Sequence, residues 1–134
     1  MSRNSSLILL ALILGAMIFP AASIYAWQRS QQSHEDMSAK IALDHLYNSS
    51  TFSFDGIANS VKVVGVTQTL TYATTRFTIV TIEFDCSHGG YGDRTGQNTI
   101  QMIKHHTAVI HVTDDLVTMM VLDGIWDELA GQMI

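Results

Sequence analysis

His106-Thr107-Ala108-Val109-Ile110-His111-Val112-Thr113-Asp114-Asp115-Leu116-Val117-Thr118-Met119-Met120-Val121-Leu122-Asp123 reads as two apolar and β-branched runs around a pair of aspartates. Aspartate tolerates the positive φ that a tight two-residue hairpin turn requires. With Asp114-Asp115 as the whole loop, Val112 opposes Val117, Ile110 opposes Met119 and Ala108 opposes Val121, so one face is apolar throughout. The same register sets His106 across from Asp123 and His111 across from Thr118. A one-residue slip would scramble this agreement, so the spacing predicts a hairpin in that register.

The residues before the hairpin also read as sheet. Phe77 to Cys86 is the best strand: Thr78, Val80, Ile82, Phe84 and Cys86 share one face, and Phe77, Ile79, Thr81, Glu83 and Asp85 the other. Val61 to Val66 and Thr69 to Ala73 are short β-branched runs, with Gly65 a candidate bulge. Thr51 to Phe54 alternates as a strand does, and Asp55-Gly56 is a turn signal. After the hairpin, Asp123-Gly124 ends the strand and Ile125 to Leu129 opens a short helix or turn, with Trp126 and Leu129 packing back on the sheet.

Ahead of the sheet, Ser33 and Asp36 form a capping-box-like helix start. Ala39, Ala42, Leu43, Leu46 and Tyr47 then make one apolar helical face, which stops near Asn48-Ser49-Ser50. Asn48 also opens a glycosylation sequon, whose rival reading is an unmodified helix-ending asparagine. Leu7 to Trp27 carries no charge, with Arg3 before it and Arg29 after it. The full run spans a bilayer core at ~1.5 Å per residue, with Tyr25 and Trp27 as interfacial aromatics. The shorter run Leu7 to Phe19, followed by Pro20-Ala21-Ala22-Ser23, instead suits a cleaved signal peptide.

The fold class is therefore α+β: an N-terminal transmembrane or signal helix, a short amphipathic helix, then a small, mainly antiparallel β-sheet domain with a C-terminal hairpin and short helix. Residues 1–27 form the signal or anchor segment, 28–50 a linker and amphipathic helix, and 51–134 the β-rich extracytoplasmic domain. The expected location is the cell membrane, single-pass with the C-terminal domain outside, or secreted after cleavage.

A net charge of −5 without a basic stripe argues against a nucleic-acid partner. Cys86 is the single cysteine, which excludes an intramolecular disulfide and a multi-cysteine metal knuckle. Its strand parity assigns it to the core, against rival readings as a thiolate nucleophile or an intermolecular disulfide.

The chemistry concentrates in Asp85-Cys86-Ser87-His88-Gly89-Gly90-Tyr91-Gly92-Asp93-Arg94-Thr95-Gly96-Gln97, which holds four of the nine glycines. No Gly-Lys-Ser/Thr follows and no βαβ context surrounds it, so neither a P-loop nor a dinucleotide fingerprint is present. His88-Gly89-Gly90 shares its glycines with esterase oxyanion loops, yet the chain has no Gly-x-Ser-x-Gly nucleophile turn. The candidate ligand-binding residues are His88, Tyr91, Asp93, Arg94, His106 and Asp123. His88, Asp93 and His106 are the candidate ligands for a divalent metal, since imidazole and carboxylate suit zinc-like ions. His105 and His106 are adjacent on a strand and point to opposite faces, so only one joins any given site. The structural alternatives are hydrogen-bonded histidines, Asp93 capping the loop backbone, and Arg94 clamping a carboxylate such as Asp85 or Asp123.

Four segments, Phe54-Asp55-Gly56-Ile57, His88-x-Gly90-Tyr91-Gly92-Asp93-Arg94-Thr95-Gly96-Gln97, His106-x-Ala108-Val109-Ile110 and Asp123-Gly124-x-Trp126-Asp127, together resemble an uncharacterised group of small archaeal exported or membrane-anchored proteins. The resemblance implies an archaeal source and an exported domain, and carries no catalytic assignment. The expected function is a non-enzymatic, membrane-anchored binding module that takes a protein or glycan ligand through the 87–97 loop, with no cofactor. The alternatives are a metal-dependent or hydrolytic site on His88, Asp93 and His106, and a structural component of the cell envelope.

Overall fold

The computed structural model describes the backbone of residues 3–70 and 76–134 and the side chains of residues 23–69 and 77–134. The chain divides into two units, Met1–His34 and Glu35–Ile134. Helix α1 (Arg3–Tyr47) includes residues 28–33, expected as a linker, so the amphipathic segment is the end of a longer helix. Leu7 to Phe19 and the cleavage-like Pro20-Ala21-Ala22 lie outside the residues with described side chains. Among the described residues no helix is long and apolar enough to cross a membrane.

The last turns of α1 bury Ser38, Ala42 and Leu46, spaced four apart on one helical face. Ala39 and Leu43 flank that stripe, whereas Tyr47 stays 43 % exposed. The helix stops as expected. Asn48 donates both its N–H (3.3 Å) and its side-chain amide (2.7 Å) to the Asp44 carbonyl, and the Ser49 hydroxyl donates to Leu46 O at 2.7 Å.

Ser49 also caps the next element, accepting from Phe52 N–H at 3.4 Å. That element is helix α2 (Ser50–Asp55), not the strand its alternation suggested. The reason is tertiary: Phe52 packs edge-on between Tyr47 and Phe84, with ring centroids 5.1 and 5.5 Å away. A helical turn puts it there, and an extended segment would not. Gly56 ends α2 under the Phe52 ring, where a Cβ would lie 2.4 Å from the ring carbon.

Six strands follow in one sheet, each antiparallel to the next in sequence order: β1 (Gly56–Leu70), β2 (Arg76–His88), β3 (Gln101–Thr113), β4 (Leu116–Leu122), β5 (Trp126–Asp127) and β6 (Gln132–Met133). The alternation along β2 is as predicted, with Thr78, Val80, Ile82, Phe84 and Cys86 all buried. Together with Ala42, Leu46, Phe52, Ala108, Ile110, Val112, Met120 and Leu122 the apolar members of this set form the core. β1 is one strand where two runs were expected, and residues 71–73 of the second run lie outside the described residues. Val63 pairs with Ile82 and Gly65 with Thr81, so the bulge residue is Val64, one position before the predicted glycine.

The β3–β4 hairpin has the predicted turn: Asp114 and Asp115 have φ of 48° and 63°. Its first rungs, Thr113 with Leu116 and Val112 with Val117, are also as predicted. A bulge at Thr118 then shifts the register, pairing His111 with Met119, Ile110 with Met120 and Ala108 with Leu122. The physical cause lies in β4, where Met119, Met120, Val121 and Leu122 are apolar in both parities. Alternation alone cannot choose between the parities; burial chooses Met120 and Leu122.

Beyond Gly124 the turn alternative holds and the short helix does not form. β5 and β6 form a small hairpin instead, closed by Gly131 N–H on Asp127 O at 2.8 Å with Gly131 at φ 65°. The Asp127 carboxylate accepts from Leu129 and Ala130 N–H at 3.0 Å each, which holds the turn without a helix.

Candidate functional site

The loop after β2 folds back on α2 because Arg94 points inward. The side chain is 3 % exposed, and its Nη1 donates to the carbonyls of Gly90 (2.9 Å) and Gly92 (3.1 Å). Gly90 at φ 103° and Gly92 at φ 68° give the backbone conformation that turns those carbonyls onto the guanidinium. Nη2 donates to Asp55, and the guanidinium carbon lies 4.5 Å from the centroid of the Phe54 ring. Asp55 is the last residue of α2, so the clamp joins helix and loop. The predicted clamp is real, with a different carboxylate from the Asp85 or Asp123 expected.

Asp55 also organises His88. Its Oδ2 accepts from the His88 backbone N–H at 2.7 Å and lies 2.9 Å from Nδ1 of the same residue. A carboxylate that holds Nδ1 fixes the ring's orientation and tautomer. His88 keeps 28 % of its side chain exposed.

A second cluster lies around Asp123. His106 is fully buried between Phe84 and Tyr91, each 5.3 Å away by ring centroid. Its Nδ1 donates to Asp123 Oδ2 at 2.7 Å, and Tyr91 donates its hydroxyl to the same oxygen at 2.8 Å. Asp123 N–H donates to Thr107 O and Asp123 Oδ1 accepts from Thr107 N–H, both at 2.8 Å. The predicted His106–Asp123 pairing thus exists between side chains, although the shifted register makes Thr107 the backbone partner. Burial acts to raise the Asp123 carboxyl, but the Thr107 N–H, His106 and Tyr91 outweigh it and hold the group below the usual carboxylate range. Burial, then the hydrogen bond to Asp123 and its charge, push the Tyr91 phenol up to about 12.

The two clusters are joined by residues that sequence reading did not select. Glu128 is buried and accepts from four donors: Ser50 Oγ (2.6 Å), Thr51 N–H (2.8 Å), Thr51 Oγ1 (2.6 Å) and Trp126 Nε1 (2.7 Å). Thr51 Oγ1 in turn accepts from Gly92 N–H at 2.7 Å. Trp126 stacks on Tyr91 at 5.6 Å with 13° between the planes. The path therefore runs from Asp55 through Arg94, Gly92, Thr51, Glu128, Trp126 and Tyr91 to Asp123 and His106. Asp55 had a local signal, its place before Gly56 in a turn-like pair; a lone glutamate two residues after a tryptophan gives none for burial.

Asp93 stays on the outside. Its Oδ1 accepts from Thr95 N–H (2.9 Å) and Thr95 Oγ1 (2.6 Å), the predicted backbone cap. These bonds, with Arg94 nearby, hold its carboxyl below the usual carboxylate range. His88, Asp93 and His106 each face a different partner, and among the described residues no three His, Cys, Asp or Glu side chains are grouped to hold a metal ion. Cys86 is fully buried; desolvation, and then the negative charge of Asp55, push its thiol up to about 12, so it is no thiolate nucleophile. His105 is exposed on the opposite face and pairs with Asp85 at 2.8 Å.

The loop and the α1–α2 corner enclose an open groove of about 610 Å³, lined by Asn48, Ser50, Ser53, Phe54, Asp93 and Thr95. Its volume falls in the range of small-ligand sites, and its lining is mainly polar. Comparison of the chain with protein-family models, curated proteins and solved structures finds no match.

Proposed function

We propose that this protein is an extracytoplasmic binding module, anchored in the membrane through Leu7 to Trp27, that holds a ligand in the groove between α2 and the 87–97 loop. The observation that carries this reading is the division of labour within the loop. Tyr91 and Arg94 point inward and fix the backbone, while Asp93 and Thr95 face the groove with Asn48, Ser53 and Phe54. A preorganised loop loses little entropy on binding, which is what a recognition surface needs. The resemblance to archaeal exported proteins agrees with a ligand of the cell envelope, and the acidic net charge disfavours nucleic acid.

The test is capture of envelope material by the purified full chain, compared with Thr95→Arg. Thr95 is exposed, so the arginine fills the groove without entering the core. Loss of capture with an unchanged melting temperature is the expected result. Equal capture by both proteins sinks the groove as the binding site.

A second reading, a structural component of the envelope, is favoured by the internal hydrogen bonding of Tyr91, Arg94, His106 and Asp123. It predicts that Thr95→Arg changes nothing while Arg94→Ala abolishes folding.

A further inference from the structure

We infer that the groove recognises a neutral saccharide, presenting its hydroxyl edge to Asp93, Asn48 and Ser53 and an apolar C–H face to Phe54. This rests on the binding reading above and names its ligand class. Three features of the lining lead to it.

The first is the absence of a cation. Among the described residues no lysine or arginine lines the groove, and the nearby Arg94 is already engaged with two carbonyls and Asp55. A phosphate, sulfate or carboxylate ligand would meet the Asp93 charge with nothing to offset it.

The second is the isolation of that carboxylate. Glu128 has both oxygens occupied by four donors, and Asp55 is shared between Arg94 and His88. Asp93 is thus the one carboxylate among the described residues of the lining, with Thr95 N–H and Oγ1 both on its Oδ1. One exposed carboxylate is a weak site for a free cation, yet it is a strong acceptor for a hydroxyl pair.

The third is the combination of groups. Asn48 gives one amide hydrogen to Asp44 O, which leaves its carbonyl oxygen as an acceptor, and Ser50 and Ser53, whose hydroxyls donate to Glu128 and Ser49 O, add oxygens that accept. A ring carrying several hydroxyls can donate along such an edge and accept from the second Asn48 amide hydrogen. Phe54, held by the guanidinium of Arg94 and the edge of His88, supplies the aromatic surface that a sugar C–H face covers.

The experiment is an amide NMR titration of the full chain in a non-glycosidic detergent, because a maltoside would itself be a ligand. The probes are neutral oligosaccharides of glucose, mannose, galactose and N-acetylglucosamine, with putrescine and inorganic phosphate as the charged comparisons. At least one neutral oligosaccharide is expected to shift amides in 48–54 and 93–95 selectively, with affinity reduced at least ~10-fold, about 1.4 kcal/mol, in Asp93→Asn. Ser53→Ala, a milder change on an exposed residue, should reduce it with no change of melting temperature. A parallel capture assay uses envelope material before and after periodate, which cleaves vicinal diols. Capture that survives periodate, with no saccharide shifts, overturns the saccharide inference and leaves the binding reading intact. Selective shifts from putrescine or phosphate alone overturn it too. No capture of untreated material overturns the binding reading itself.

Discussion

Replacing Glu128 with alanine tests the centre of the network most directly. The carboxylate takes four hydrogen bonds, and the residue is 8 % exposed. The hydroxyls of Ser50 and Thr51 can rotate to other acceptors. Thr51 N–H and Trp126 Nε1–H cannot, and each buried donor left without a partner costs ~1–3 kcal/mol. Two such donors, partly relieved by water entering at the groove side, give a loss of about 3 kcal/mol. For a unit of this size each kcal/mol lowers the melting temperature by ~4–8 °C, so a fall on the order of 15 °C is expected.

Urea unfolding followed by circular dichroism measures the loss, and amide exchange at Thr51 and Gly92 localises it. Glu128→Gln sharpens the result. Its single oxygen cannot serve both sides, and its NH₂ would face a donor, so its loss should approach that of the alanine variant. A loss below ~1 kcal/mol for Glu128→Ala, or wild-type stability for Glu128→Gln, would refute the claim that this carboxylate joins α2 to the sheet.

Four further outcomes follow from the same geometry. Asp123 is held below its unfolded value, so its stabilising contribution is present above about pH 4 and lost as pH falls through the lower folded value. The stability gap between wild type and Asp123→Asn, read from urea midpoints, should therefore shrink on acidification; a constant gap would contradict it. In an alkaline absorbance titration Tyr91 should add a component above the usual tyrosine value, at about 12, that Tyr91→Phe removes, while Cys86 should react with a thiol reagent only after unfolding. Gly92→Ala combines a left-handed φ of 68° with a Cβ 3.2 Å from Trp126, whereas Gly96→Ala at φ 79° meets open space. The first should cost clearly more than the ~1–2 kcal/mol of the dihedral alone, and equal losses by calorimetry would remove the packing contribution.

What was legible in the sequence was whatever a single strand or turn encodes. The β2 alternation, the Asp114-Asp115 turn, the end of α1 at Asn48 and the Asp93 cap each depend on neighbours within a few residues. The misreadings share a different cause. Thr51-Phe52-Ser53-Phe54 alternates, but Phe84 and Glu128, more than thirty and seventy residues away, decide that it is helical. The Thr118 bulge was hidden because β4 is apolar on both parities, and the Arg94 partner because charge alone pointed to Asp85 or Asp123 and gave no sign of Asp55. Asp55 wins by position: it ends α2 directly beneath the loop and offers one oxygen to Arg94 and the other to His88.

These contacts change how the loop must be probed. By sequence Tyr91 is a candidate ligand-binding residue, with a pin for the loop as the rival reading. In the structure it stacks on Trp126, touches His106 and bonds Asp123, so Tyr91→Ala would disturb the fold and any binding together. The loop alternates instead: Gly92 and Arg94 are buried, Asp93 and Thr95 exposed. The inner network draws on four separate segments, through Asp55, the Gly90–Arg94 stretch, His106, and Asp123 with Trp126. Those positions are needed to build the loop. On the proposed binding reading, specificity lies in the exposed groove residues outside that network, Asn48, Ser53, Asp93 and Thr95. Their substitution is therefore the perturbation that separates recognition from architecture.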